Sequence, residues 1–390
     1  MNQQRPPQRS QRFHFIDLLR GWAVFVMIET HVVNALLHPS IKQGNIFTVL
    51  AFVNGLVAPS FLFCAGFAFA ITAHRKWQDY ISFKPSFWRY CVRLFFILVV
   101  GYSLHIPVFS LRKMLTLTDE GLWTSFFQAD ILQVIALTLM FSVLFAITVR
   151  KERRFILFTT ITAALVVFIS PIIWEMNFDR LPIWLRPYLS PSYKSQFPLF
   201  PWSAFLLAGS LIGYVFMKAR ETGTEKSLVD RLSVLSICVI VVSIVAELLP
   251  VTLYPNHNFW KASPEFFFVR LGLVVLCSIM LWRYEQRPAR IPSSEIKPEH
   301  SVFALFGQES LLVYYVHLMI VYGEDQQWSF IRLFGPTLNY GECFGLFIAL
   351  TLSMYLLAFV WHWIKGWNQK AARLIQWATV AGFVVAFAVK

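Results

Sequence analysis

In 15-FIDLLRGWAVFVMIETHVVNALL-37 an arginine, Arg20, precedes a histidine, His31, within a stretch otherwise apolar enough to cross a bilayer. The same stretch carries Asp17 and Glu29. A histidine held in such a segment can give or take a proton, and an ionisable group there is a functional candidate by default. An arginine there can hold a phosphate or a carbonyl oxygen. At 100° per residue, Asp17, Arg20, His31, Asn34 and His38 fall on one helix face and Glu29 on the opposite one. The helical rise puts roughly 16 Å between Arg20 and His31.

Each of these residues also has a plainer reading. Asp17 and Arg20 can be an i,i+3 ion pair at a helix end, with the arginine snorkelling to water. That reading does not reach His31, which is too deep for a short imidazole to find water by bending. An unpaired polar group in hydrocarbon costs several kcal/mol, so His31 must face protein or a wet cavity.

Other apolar runs carry companions. In 122-LWTSFFQADILQVIALTLMF-141, Asp130 lies about eight residues in, at a depth of roughly 12 Å, near Gln128 and Gln133. An imidazolium is a natural partner for that carboxylate, although the pair could serve only to hold two helices together. In 303-FALFGQESLLVYYVHLMIVYG-323, Ser310, Tyr314 and His317 share a face, a pattern that interhelical hydrogen bonding also produces. Arg270 in PEFFFVRLGLVVL calls for a carboxylate or a bound anion. Asn54 and Pro59 add polarity and a bend to the second run, while Gly209 and Gly213 permit close helix packing. His31, Asn54, Asp130, Gln133, Arg270 and His317 thus come from five runs and share one level, with Arg20 at the other end.

The elements that must position these groups are membrane helices. Hydrophobic residues make up 57% of the chain and charged ones 14%, against about a quarter in soluble domains. Runs long enough to span lie near 14–37, 46–74, 88–109, 122–149, 155–174, 197–217, 228–249, 264–284, 302–322, 341–363 and 372–389. Whether the last crosses or lies on the surface is open. The expected fold is an all-α integral membrane protein, a polytopic bundle of about 10–11 transmembrane helices. With the N-terminus in the cytoplasm, 22 Lys and Arg fall in inside segments and nine in outside ones, which fixes the expected orientation. The net charge of +13 sits in these loop clusters, which argues against nucleic acid as a partner. The five scattered cysteines suggest neither a disulfide framework nor a metal site. Residues 1–12 read as a cytoplasmic tail and 13–390 as one transmembrane domain. The outer loops 175–196 and 250–263 read as ordered caps or acceptor-binding surfaces.

The R-x10-H spacing of Arg20 and His31 within IDLLRGWAVFVMIETH resembles the signature of transmembrane acyltransferases. APSFLFCAGFAFA, DILQVIALTL, FPLFPWSAFLLAGSLIG and ESLLVYYVHLMIVYG look similar to the branch related to heparan-α-glucosaminide N-acetyltransferase, and FWKASPEFFFVRLGLVVL to its bacterial members. The resemblance runs from about residue 13 to 323. It implies an acetyl-CoA or other acyl-CoA donor on the cytoplasmic side and an acceptor on the far side, usually a sugar. It also implies that His31 is the reactive imidazole and that Arg20, with Asp17 beside it, helps hold the donor. The luminal N-terminal domain of the heparan enzyme has no counterpart here, and the acceptor does not carry over.

The expected function is therefore transfer of an acyl group, acetyl first among candidates, to a hydroxyl or amine of an extracytoplasmic glycan. His31 and Asp130 are the candidate catalytic pair, and Arg20 and Asp17 the donor-binding pair. Asn54, Gln133, Arg270 and His317 are candidates for acceptor contact or oxyanion stabilisation. Short loops suggest a bacterial inner membrane. A homodimer is left open, and a proton-coupled transporter is the competing reading.

Overall fold

The computed structural model describes residues 13–249, 259–287, 301–323 and 328–390. The tail 1–12, and most of the loops 250–263 and 283–297, lie outside them. The chain forms α1 (His14–Leu36), α2 (Asn45–Asn54), α3 (Val57–Ile81), α4 (Pro85–Ser103), α5 (Leu111–Leu115), α6 (Glu120–Phe126), α7 (Ile131–Val149) and α8 (Glu152–Glu175). There follow α9 (Leu199–Glu221), α10 (Glu225–Glu247), α11 (Phe259–Ala262), α12 (Pro264–Glu285), α13 (Val302–Gln308), α14 (Ser310–Tyr322), α15 (Phe330–Phe334), α16 (Tyr340–Trp367) and α17 (Gln369–Val389). No strand occurs among the described residues.

This is an all-α polytopic membrane protein. Eight helices of the described residues, counting α2 and α3 together, are long and apolar enough to cross a bilayer, and nine if α13 and α14 form one broken span. Two more have spanning length but carry charge. The 23-residue α1 holds Asp17, Arg20 and Glu29, and the 19-residue α4 holds Arg89 and Arg93. The basal end of the bundle is the one where α1 starts, and the distal end the one where it finishes.

Three expectations need correction. The span expected at 122–149 is interrupted: α6 stops at Phe126 and α7 starts at Ile131, with Asp130 as its N-cap. Asp130 therefore sits at a helix start and not two turns inside one. The span at 302–322 is bent by 89° between α13 and α14. His38 lies beyond the end of α1, with its ring Nδ1 against Ser40 Oγ at 2.7 Å, and so leaves the polar face. For 372–389, left open above, helix α17 returns from the basal end of α16, and Phe383 and Phe387 pack on Phe109 beyond the distal end of α4, at 5.1 and 5.7 Å. It is long and apolar enough to cross.

The bend expected around Asn54 and Pro59 is the break between α2 and α3 at Gly55 and Leu56. Between Pro198 and Pro201, Phe200 has the extended angles φ −98° and ψ 119°, the irregular start those prolines suggested.

Lipid does not drive helices together, so tight pairs need small residues at the contact. A Cβ on Gly66 would collide with the backbone of Leu206, and one on Gly209 with that of Phe63, which locks α3 to α9. The same logic joins α1 to α13, where Gly21 meets Phe303 and Gly307 meets Asp17 backbone to backbone. Gly209→Val is expected to lose about 3 kcal/mol of stability or more, read as a lower midpoint in detergent unfolding. Gly382, with nothing within 4 Å, tolerates the same change.

The distal loops form an ordered cap. Lys194 donates to Gly121 O and Ser125 Oγ, Arg186 pairs with Glu120 at 3.2 Å, and Tyr193 donates to Asp179 at 2.9 Å. Hydrogen bonds from Asn177 and Tyr193 hold the Asp179 carboxyl below the usual carboxylate range.

Candidate functional site

α1 carries His31 near its distal end, and α14 brings His317 and Tyr322 against it. The two imidazole centroids are 5.2 Å apart, and the Tyr322 ring stands edge-on to His31 at 5.5 Å. Tyr322 donates its hydroxyl to the His31 carbonyl at 3.3 Å, and the His31 Nδ1 lies 3.4 Å from the same oxygen. With the tyrosine proton spent on the carbonyl, Nδ1–H is the donor and Nε2 keeps its lone pair. His317 is fully buried, and its Nδ1 donates to Val313 O at 2.7 Å. Its Nε2 is therefore also a bare acceptor, buried and without a hydrogen-bond partner. His31 itself is half-buried.

Asp130 does not bond to His31. Its Oδ1 accepts from the Ile131 N–H at 2.7 Å, and its Oδ2 accepts from Tyr314 at 2.9 Å and faces His105 Nε2 at 3.5 Å. Tyr314 then meets His317 edge-on at 5.9 Å. The order is His31, His317, Tyr314, Asp130, His105, with Gln128 hydrogen-bonded to the His105 Nδ1. In place of the direct His–Asp pair expected from the sequence, His317 and Tyr314 stand between His31 and the carboxylate.

A second group lies apart from this one. Glu29 sits beside Asn54, and the Arg270 Nη2 donates to Trp260 O at 3.1 Å. The guanidinium lies over Phe266 at 4.0 Å and Trp202 at 5.5 Å, and no carboxylate among the described residues pairs with it. Gly55 makes room, since a Cβ there would stand 3.3 Å from Nη2. Glu29 Oε1, Asn54 Oδ1, Trp202 Nε1 and Arg270 Nε are buried without partners, as a polar ligand or water would require. No hydrogen bond or ring contact among the described residues joins this group to His31. Gln133, fully buried with both amide atoms unpartnered, faces Gly101 one turn along α7 from Asp130.

At the basal end, Arg20 lies 3.8 Å from Asp17 and donates to Gly307 O at 3.3 Å, beside the break between α13 and α14. The buried Glu309 at that break pairs with His362 at 3.0 Å and with Lys365. Among the described residues no group of three or more His, Cys, Asp or Glu is placed to hold a metal ion.

The chain's residues 12–241 match the family model described as heparan-alpha-glucosaminide N-acetyltransferase, catalytic. The chain belongs to that family. The matched stretch takes in Asp17, Arg20, His31, Asn54, Asp130 and Gln133 and stops before Arg270 and His317. A search of curated proteins returned no match. His105 and Tyr322 were not among the residues singled out from the sequence of this acetyltransferase-family chain. His105 follows α4 in GYSLHIP, where only the nearby Gly101 and Pro107 hint that the helix ends before it.

Proposed function

We propose that the chain is an integral-membrane acetyltransferase that takes the acetyl group from acetyl-CoA at the basal, cytoplasmic face. It delivers that group to an amine or hydroxyl of a glycan at the distal, extracytoplasmic face. The observation that carries this reading is the half-buried His31 beside the buried His317, each with Nε2 free to accept a proton. Family membership supports the acetyl donor and the amine of an amino sugar as the first acceptor to try. The excess of basic residues in the basal loops supports the sidedness, and the short loops fit a bacterial inner membrane.

CoA is too charged to enter the bilayer, so its pantetheine arm must reach in from the basal side, past Arg20. The acceptor nitrogen or oxygen attacks the thioester carbonyl carbon, the new bond forms and the carbon–sulfur bond breaks. The His31 Nε2 takes the proton of the nucleophile and passes it to the departing sulfur, giving the free thiol. Arg270 and Asn54 line a separate polar group that contacts remote parts of the acceptor. Whether one chain or two form the working unit does not alter this chemistry.

The test is to incubate the purified protein with acetyl-CoA and glucosamine and follow both free thiol and N-acetylglucosamine. Equal yields of the two products are expected. The competing transporter reading gains a little from the broken α13–α14 span, although such carriers use interrupted helices in pairs. Uptake of glucosamine into proteoliposomes without any thiol release would favour it.

A further inference from the structure

Asp130 is a carboxylate at the start of α7 with every oxygen engaged, and the groups facing it come from three places. The Ile131 N–H belongs to its own helix, Tyr314 comes from α14, and His105 comes from the segment after α4. His31 acts on it only through space. Because the Gln128 amide nitrogen bonds the His105 Nδ1, the proton of the ring sits on Nε2, which lies 3.5 Å from the Asp130 Oδ2 without a hydrogen bond of its own. The His105 and Asp130 side chains are 16% and 14% exposed, so the pair stands at the rim of the site rather than in its floor.

We propose that His105 is a positioning residue for acetyl transfer, held by Gln128, which keeps Asp130 ionised and turned towards Tyr314. The inference rests on the acetyltransferase reading. Within it, Tyr314 gives its proton to Asp130, and its ring stands edge-on to His317, whose Nε2 is bare. A hydroxyl oxygen and an imidazole lone pair, backed by a negative charge, favour an acceptor that donates N–H or O–H bonds while it waits for His31. Removing the His105 N–H takes away a favourable dipole 3.5 Å from the charged form of Asp130, so the ionised carboxylate is held less firmly. Once it is protonated, its oxygen competes as a donor and Tyr314 turns away from the orientation the site uses.

The experiment is a pH profile of kcat and KM with acetyl-CoA and glucosamine for the full chain in detergent. His105→Ala is expected to lower kcat by about tenfold with the KM for acetyl-CoA unchanged, and to move the acid limb of the profile to higher pH. His105→Gln, which keeps an N–H to offer, is expected to recover part of the rate and to return the limb towards the wild-type position. Asp130→Asn is expected to lose the part of that limb that Asp130 sets and to keep the part set by His31. A purely structural His105 gives a different outcome: all profiles parallel the wild type and the rate falls only with the folded fraction, and that result overturns the inference. If wild-type protein forms no N-acetylglucosamine, it is the acetyltransferase reading that fails. If His105→Ala does not fold, an acid limb in His105→Gln displaced as far as complete loss of the N–H predicts overturns the proposal as well.

Discussion

His31→Ala is expected to lower kcat for acetyl transfer by about 10³-fold, within the range that loss of a general base produces. The fall should appear equally in kcat and kcat/KM, because the imidazole acts in the transition state and not in holding the donor. His31→Gln should fare no better, since an amide can satisfy Tyr322 but cannot accept a proton from the nucleophile. The His317 Nε2, 5.2 Å away between ring centres, is too constrained by its bond to Val313 to substitute. Initial rates of thiol release at saturating acetyl-CoA decide the matter, together with a melting curve showing that both variants fold. A histidine that only packs would show the reverse: a lowered melting point, and activity restored by glutamine.

Asp130→Asn carries the second-largest expected effect, a loss of about 10²-fold in kcat. The side chain keeps its shape but loses its charge, and its amide must turn an N–H towards donors already aimed at it. Either the Ile131 N–H or the Tyr314 and His105 pair then faces a donor, so the carboxylate's arrangement cannot be copied. The effect should stay below that of His31→Ala, because a tyrosine and a histidine separate the carboxylate from the reacting imidazole. Parallel measurement of kcat in the two variants checks the order. Equal losses would mean that the acid touches His31 in the working state, as in a triad.

Much of this was legible in the sequence, for reasons that differ by residue. Spans declared themselves through length and apolarity, and Pro59, Pro198 and Pro201 marked where helices bend or start irregularly. His31 stood out because a polar group in hydrocarbon demands a partner. What failed was depth and contact. Asp130 was placed by counting along a run that looked continuous, but the polar Gln128 and Asp130 stop α6 and cap α7. The break at Glu309 was hidden because Val302–Tyr322 reads as one apolar stretch, and its cause lies on α16, where His362 and Lys365 hold the carboxylate. Arg270 was expected to find an acid and instead lies on Phe266 and Trp202, a partnership that spacing along one helix cannot show. His105 belongs to the site only because α4 ends where α7 begins, a matter of tertiary packing.

In the proposed reaction a thioester from one face meets an acceptor from the other at His31. The most direct measurement uses sealed proteoliposomes with the protein in one orientation, radiolabelled acetyl-CoA on the side of the N-terminus and glucosamine on the opposite side. Labelled N-acetylglucosamine is expected to accumulate on the acceptor side, with the thiol left on the donor side and neither appearing with His31→Ala. Product formed only when donor and acceptor share one side, or formed as well by His31→Ala, would contradict it.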